Sequence, residues 1–492
     1  MRSLIMNLLH SARRFPDRVA VRSGDTFLTY AELEACTARV VSMLRAEGVF
    51  PGSRVAMMVP NVAEFVVLYY GILRAGCVVV PMNPQLKARE VAYYLADSGA
   101  QLLFDWKGGP GEATQGAAGT GATVRTVDSV SFTALLAQHA PHRGRPSGEA
   151  DQLAVILYTS GTTGQPKGAA LTQAGLAHNA EVYASTVQDL RYDDVVLGCL
   201  PLFHTFGQTC ALNAAIYCGA ALTLIPRFEP ATVFGAIARD RVTVFAGVPT
   251  MYSALLHDAG AASADVTSLR RCVSGGASLP LELLTAFEQT FRCVILEGYG
   301  LSETSPVVTF NHAGQPRRPG SIGVPIRDVE VDLVDVIDGI GEIAVRGPNL
   351  MRGYWNRPEA TRAAILDGWF RTGDLARCDA DGFYYIVDRK KDMIIRGGYN
   401  VYPREIEELL YEHPEVTQAA VFGIADDHLG EEIVAAIVLR PGADITGEEL
   451  RNFVGDRIAA YKCPRQVWLL DELPTGPSGK ILKRAITRPR SA

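Results

Sequence analysis

Thr159-Ser160-Gly161-Thr162-Thr163-Gly164-Gln165-Pro166-Lys167-Gly168 follows directly on the apolar run 153–158 and leads into a second apolar run at 169–171. The two runs read as buried strands joined by a turn. The glycines let the backbone turn tightly and aim N–H groups at an anion. The hydroxyls of Thr159, Ser160, Thr162 and Thr163 and the ammonium of Lys167 add donors and charge suited to phosphate. A Walker A loop has Gly directly before Lys and a helix after it. Here Pro166 precedes Lys167 and a strand follows. A flexible polar hairpin is the bland alternative, and a ten-residue loop of this composition is far more specific than a lone glycine pattern.

Outward from this loop, strand-like and helical patterns alternate. Upstream, residues 54–59 read as a strand, 63–74 as a helix and 78–80 as another buried strand. Thr29 is placed to cap a helix, with Glu32 three residues on to complete a capping box. Leu4, Ile5, Leu8 and Leu9 suit one face of a helix. Downstream the alternation runs from 153 to about 310. It predicts layered α/β structure with parallel sheets. Residues 107–122, rich in Gly, Ala and Thr, read as a surface loop or poorly ordered insert. Residues 320–387 carry short alternating runs separated by Gly and Asp, which predicts a small, largely antiparallel β unit. Beyond Asp388 the pattern is mixed, with helices at 403–411 and 447–458 and strands at 419–423 and 433–439. The expected organisation is a large N-terminal α/β domain over 1–387, including the β unit, and a small α+β C-terminal domain over 388–492.

Hydrophobic residues make up 48% and charged residues 20% of the 492, the balance of a soluble globular chain. A net charge of −6 without a long basic run argues against a nucleic-acid partner. The nine cysteines show no C-x-x-C spacing and read as buried small hydrophobes in a reducing compartment. The most apolar stretch, 65–82, is broken by Arg74 and Gly76 and reads as a buried helix and strand, not a membrane span. Cytoplasmic localisation is expected, and a homodimer is compatible with such a chain.

Further blocks follow in order: Pro201-Leu202-Phe203-His204, Ser274-Gly275-Gly276-Ala277, Glu297-Gly298-Tyr299-Gly300-Leu301-Ser302-Glu303-Thr304, Trp369-Phe370-Arg371-Thr372-Gly373-Asp374, residues 388–400 and residues 474–484. Together with the loop at 159–168 they resemble the ANL superfamily of adenylating enzymes, which includes acyl-CoA synthetases, peptide-synthetase adenylation domains and beetle luciferases. The resemblance covers nearly the whole chain. It implies that Ser160, Gly161 and Gly164, with the rest of that loop, hold the ATP phosphates. Gly275, Gly276 and Ala277 would lie beside adenine, with Glu297, Gly298, Tyr299 and Gly300 forming the strand whose tyrosine stacks on the base. Ser302 would approach the α-phosphate, where threonine is commoner in the family. Glu303 would bind Mg²⁺, and Asp374 and Arg389 would hold the ribose. His204 would sit by the acyl carboxylate and Lys480 would be the catalytic lysine of adenylation. Asp388 resembles the hinge of a mobile C-terminal domain, and Gly397, Gly398 and Tyr399 resemble the lining of the pantetheine tunnel.

The implied activity is activation of a hydrophobic carboxylic acid by ATP to acyl-AMP and pyrophosphate, then transfer to coenzyme A. The segments 201–208 and 397–405 resemble bacterial medium- and long-chain fatty acyl-CoA synthetases, and aryl and short-branched acids stay open. Loading of an acyl carrier protein is one alternative. The insertion usual in fatty acyl-AMP ligases has no room in the 37 residues between Glu303 and Gly341. Thr205-Phe206-Gly207-Gln208 offers no aspartate for an amino-acid ammonium. The other alternative, a nucleotide-binding protein without catalysis, fits poorly with Lys480, Glu303 and Asp374 together.

Overall fold

The computed structural model describes residues 3–144, 146, 150–159, 165–426, 428–476 and 479–489. Of the phosphate-loop expectations, Ser160, Gly161, Thr162, Thr163 and Gly164 lie outside the described residues.

Local signals set the elements. The helix Leu4–Arg14 buries Leu4, Ile5, Leu8 and Leu9 on one face. Thr29 and Glu32 form the expected capping box of the helix Tyr30–Ala46. Among the described residues, four sheets form. A nine-stranded sheet and a seven-stranded sheet make the large α/β body. In the nine-stranded sheet, the strands Val195–Gly198, Val244–Gly247, Arg271–Ser274 and Val294–Gly300 run parallel. In the seven-stranded sheet, Arg54–Met58, Val78–Pro81 and Leu102–Trp106 run parallel, while Leu153–Thr159 and Lys167–Thr172 form an antiparallel pair. One contiguous core runs from Leu4 to Tyr384. Burying a side chain of Leu or Val size stabilises by roughly 1.5–3 kcal/mol.

The antiparallel sheet of Glu330–Ile337, Ile340–Arg346, Trp369–Cys378 and Tyr384–Arg389 forms the expected β unit. It is not self-contained. Gly353–Tyr354 leaves it to pair with Ala169 and Ala170 of the seven-stranded sheet. Beyond it, the helix Pro403–Tyr411 and the hairpin Val416–Asp426/Gly430–Leu439 enclose a separate core around Val421, Ile433 and Leu450.

Two expectations need correction. Residues 107–122 are not merely a loop: the helix Glu112–Ala117 buries Ala113, Gly116 and Ala117. Not all cysteines are buried: Cys378 is exposed and Cys36, Cys218 and Cys463 are half-buried. Among the described residues, no helix is long and apolar enough to cross a membrane.

Candidate active site

The cleft forms where the C-terminal ends of the parallel strands meet the C-terminal unit. Open α/β sheets place ligands at such strand ends. Gly276 and Ala277, just past the strand Arg271–Ser274, are exposed, while Gly275 is buried against the Phe206 ring. On the next strand, Gly298 and Gly300 are fixed by packing. An added Cβ would sit 2.1 Å from Phe310 at one and 1.9 Å from the Pro306 carbonyl oxygen at the other.

Tyr299, beside these glycines, donates its hydroxyl to Asp374 Oδ2 at 2.6 Å. Asp374 is buried and stands opposite Arg389 across two antiparallel strands, with Arg389 Nε 3.1 Å from its other oxygen. The carboxylate thus has a cation and a phenol beside it at the mouth of the cleft. Glu297 is placed differently from its block-mates. Its Oε1 accepts the Leu279 N–H at 3.1 Å, and Oε2 has no partner. Burial pushes this carboxyl up to about 7.

On the opposite wall, Glu303 Oε1 accepts from the Tyr354 hydroxyl at 2.9 Å and from Thr159 Oγ1 at 3.5 Å. Lys167 Nζ lies 5.3 Å from the centre of the Tyr354 ring. Tyr354 therefore joins Glu303 to the phosphate-type loop. It was missed in the sequence blocks, although the Gly353-Tyr354-Trp355 run is an aromatic pair with no apolar periodicity to explain it. Thr205 was missed too: its hydroxyl donates to Ser302 Oγ at 3.2 Å in a buried pair. No cluster of His, Cys, Asp and Glu among the described residues could hold a metal by protein ligands alone. A lone carboxylate flanked by hydroxyls fits a hard cation that keeps most of its waters and takes its remaining oxygens from phosphates.

Lys480 reaches this cleft from the C-terminal unit. Gly476 and Lys480 close a turn, the Gly476 N–H donating to the Lys480 carbonyl at 2.7 Å. The Thr250 hydroxyl donates to the Gly479 carbonyl at 2.8 Å, docking the turn on the N-terminal body. Lys480 then lies against Gly276 and lines a small cavity with His204, Gly207, Phe206 and Val248. Burial and then the Arg389 charge pull its ammonium down to about 8, against the opposing pull of Asp374 and Glu303. Burial, then Lys480, pushes His204 down to about 3, so its ring is neutral. The Phe206 N–H donates to His204 Nδ1 at 3.4 Å, which leaves the proton on Nε2 as a donor.

The remaining expected residues are elsewhere. Gly397 and Gly398 form a left-handed turn, at φ +58° and +84°. The Gly397 N–H donates to the Leu429 carbonyl, and the exposed Tyr399 ring packs at a tilt on Tyr461, 4.8 Å between ring centres. These partners all belong to the C-terminal unit. Asp388 is buried at the end of the strand Tyr384–Arg389, where its two oxygens accept the N–H groups of Arg389 at 2.7 Å and Arg404 at 3.1 Å.

A family model described as AMP-binding enzyme matches residues 8–355, and one described as AMP-binding enzyme C-terminal domain matches 405–480. The long-chain-fatty-acid–CoA ligase of Bacillus subtilis (strain 168) is 37% identical, covering 97% of this chain and 93% of the relative. The feruloyl-CoA synthase of Amycolatopsis sp is 40% identical, covering 97% of each. The crystal structure of ATP-bound MatB from Rhodopseudomonas palustris superposes with a TM-score of 0.92 at 32% identity, covering 98% of each chain. With the cleft built from both matched regions, the chain belongs to the AMP-binding, adenylate-forming enzyme family and is an AMP-forming acid–CoA ligase.

Proposed function

We propose that the acid is a hydrophobic monocarboxylic acid, activated at the His204–Lys480 end of the cleft. One observation carries this reading. Around His204 and Lys480 the cavity is lined by Leu200, Pro201, Phe206, Gly207, Val248 and Gly276, with no carboxylate and no arginine. One cation and one neutral imidazole suit one carboxylate. An α-ammonium or a second carboxylate would be desolvated there without a partner, at a cost of several kcal/mol. The class includes medium- and long-chain fatty acids, which the sequence blocks favour, and aryl acids.

In this reading the acid's oxygen attacks the α-phosphorus in line and pyrophosphate leaves; no protein nucleophile takes part. Lys480 screens the repulsion between carboxylate and triphosphate, and His204 Nε2–H orients the acid. Tyr299, Asp374 and Arg389 hold the nucleoside. Glu303 would hold magnesium, which when bound supplies charge neutralisation on the phosphates. The C-terminal unit then turns about Asp388, withdrawing Lys480 and presenting Gly397, Gly398 and Tyr399 to the thiol of coenzyme A.

The test is pyrophosphate release over acids of graded chain length, aryl acids, α-amino acids and dicarboxylic acids. Neutral-tailed monocarboxylic acids are expected to lead by at least about tenfold in kcat/KM. A lead by amino acids or dicarboxylic acids overturns the reading.

The low Lys480 value makes a pH prediction. The lysine acts only when protonated, so its contribution is full below its pKa and lost as pH rises through it. For adenylation, kcat/KM falls about tenfold per unit above about pH 8. The limb is absent in Lys480→Ala. No acid limb from His204 is expected until about pH 3, since its ring is already neutral. A profile flat through pH 9 would remove Lys480 as the titrating group.

A further inference from the structure

The donors of the 159–168 loop are carried by two strand ends. Tyr158 and Thr159 finish one strand, and Gly168 and Lys167 stand opposite them at the start of the next. Both ends are tied to one element outside this pair, the helix Ala88–Ser98. The Tyr158 hydroxyl donates to Asp97 Oδ2 at 2.7 Å. The Tyr93 hydroxyl donates to the Pro166 carbonyl at 2.8 Å. Tyr93 and Asp97 are four residues apart and so share one face of the helix. From the same helix the Tyr94 ring stacks on Tyr158, 4.2 Å between ring centres.

The segment 353–357 closes this arrangement from the other side. Gly353 and Tyr354 pair with Ala170 and Ala169, and the Trp355 N–H donates to the Gly168 carbonyl at 2.7 Å. The chain then turns to Asp97. Trp355 Nε1 donates to the Asp97 carbonyl at 3.0 Å, and Arg357 Nη2 donates to Asp97 Oδ1 at 2.7 Å. Each carboxylate oxygen of Asp97 thus holds a different element: Oδ2 the strand that enters the loop, Oδ1 the segment that carries Tyr354 to Glu303. The Asp97 side chain is 9% exposed, so its bonds are charge-assisted and poorly screened, unlike those of a surface ion pair. Apolar contacts would hold a helix against a hairpin without the cost of desolvating a carboxylate. What the carboxylate adds is direction, because both its oxygens must meet their donors.

We propose that Asp97 is a positioning residue for the triphosphate: through Tyr158 and Arg357 it fixes both ends of the loop, and with them Thr159 Oγ1 and Lys167 Nζ. These two groups already face the Glu303 wall of the cleft, Thr159 Oγ1 at 3.5 Å from Glu303 Oε1 and Lys167 Nζ at 5.3 Å from the centre of the Tyr354 ring. The proposal rests on the reading of the 159–168 loop as the holder of the ATP phosphates, and adds what aims it. An Asn at 97 can accept from only one of the two donors and turns its NH₂ on the other. The second half-reaction starts from an adenylate that has already lost the β- and γ-phosphates. A residue that acts through the loop therefore matters to the first half-reaction and not to the second.

The test uses the full chain with Asp97→Asn, Tyr158→Phe and, as a reference, Lys167→Ala. Pyrophosphate release is measured at saturating acid with ATP varied, and thioester formation from supplied acyl-adenylate is measured separately. In Asp97→Asn the KM for ATP is expected to rise about tenfold, the loss of one charge-assisted hydrogen bond, with kcat within about threefold of wild type. Tyr158→Phe removes one tether and no charge, and is expected to raise the KM for ATP about threefold. Thioester formation stays within about twofold in both. A merely structural role would lower the melting temperature and both half-reactions together and leave the KM for ATP alone, which overturns the proposal. If Lys167→Ala raises the KM for ATP and neither Asp97→Asn nor Tyr158→Phe does, the positioning role fails and the phosphate reading of the loop stands. If Lys167→Ala itself leaves the KM for ATP unchanged, the phosphate reading fails and the positioning role falls with it.

Discussion

Lys480→Ala slows formation of the acyl-adenylate by about two to three powers of ten, the loss expected for one preorganised charged donor in a water-poor site. It leaves thioester formation from supplied acyl-adenylate nearly unchanged. The asymmetry follows from how the lysine arrives. Its position depends on the Gly479 carbonyl accepting from Thr250, and its side chain lies against Gly276. In the proposed cycle the turn leaves before the second half-reaction, and Lys480 leaves with it. Assaying the two half-reactions separately checks this. Equal loss in both would mean that Lys480 stays in place throughout, or that its removal damages the cleft as a whole.

What the sequence made legible were features set by near neighbours. The Thr29–Glu32 capping box and the four buried apolar residues of the first helix act within one or two turns, and both form as expected. Motif order brought out the adenylating family for the same reason: each block is a short run whose chemistry is local. What stayed hidden depends on distant packing. The strand Val19–Ser23 pairs in parallel with Ala221–Leu224, a neighbour about two hundred residues away that no local pattern announces. The short helix Glu112–Ala117 hides in a glycine-rich composition because it is fixed from outside: a Cβ on Gly116 would come 2.6 Å from Val91. In the site, block membership gives a residue's address but not its direction. Glu297 sits in the same block as Tyr299, yet its carboxyl turns to Leu279 while Tyr299 turns to Asp374. Tyr354 reaches Glu303 only because Gly353–Tyr354 crosses to a second sheet, so its role lay in the topology.

Asp388→Pro separates the half-reactions in the opposite sense. Pyrophosphate release from acid and ATP stays within about tenfold of wild type, while transfer of preformed acyl-adenylate to coenzyme A falls by about a hundredfold or more, the scale of loss when reacting groups cannot be brought into register. Asp388 lies where the β unit passes into the C-terminal unit, and rotating one against the other requires large φ/ψ changes at very few residues. Proline fixes φ near −65° and removes the N–H. The structure adds a second function to this position. Asp388 Oδ2 accepts the Arg404 N–H in the first turn of the helix Pro403–Tyr411, and Arg404 in turn donates Nη1 to the Ile386 carbonyl at 2.5 Å. Burial pushes the Asp388 carboxyl up, the Lys483 charge and these N–H groups counter it, and Lys483 is itself tied to Glu407 at 2.7 Å. We propose that the carboxylate latches the orientation that presents Lys480, besides lying at the proposed pivot. Asp388→Ala distinguishes the two, because it removes the latch and keeps the backbone free. It should cost adenylation no more than about tenfold, the worth of one charge-assisted hydrogen bond, and leave transfer to coenzyme A close to wild type. Transfer that survives in Asp388→Pro would place the pivot at another residue. Transfer lost equally in both variants would make the carboxylate, and not backbone rotation, the element on which the second half-reaction depends.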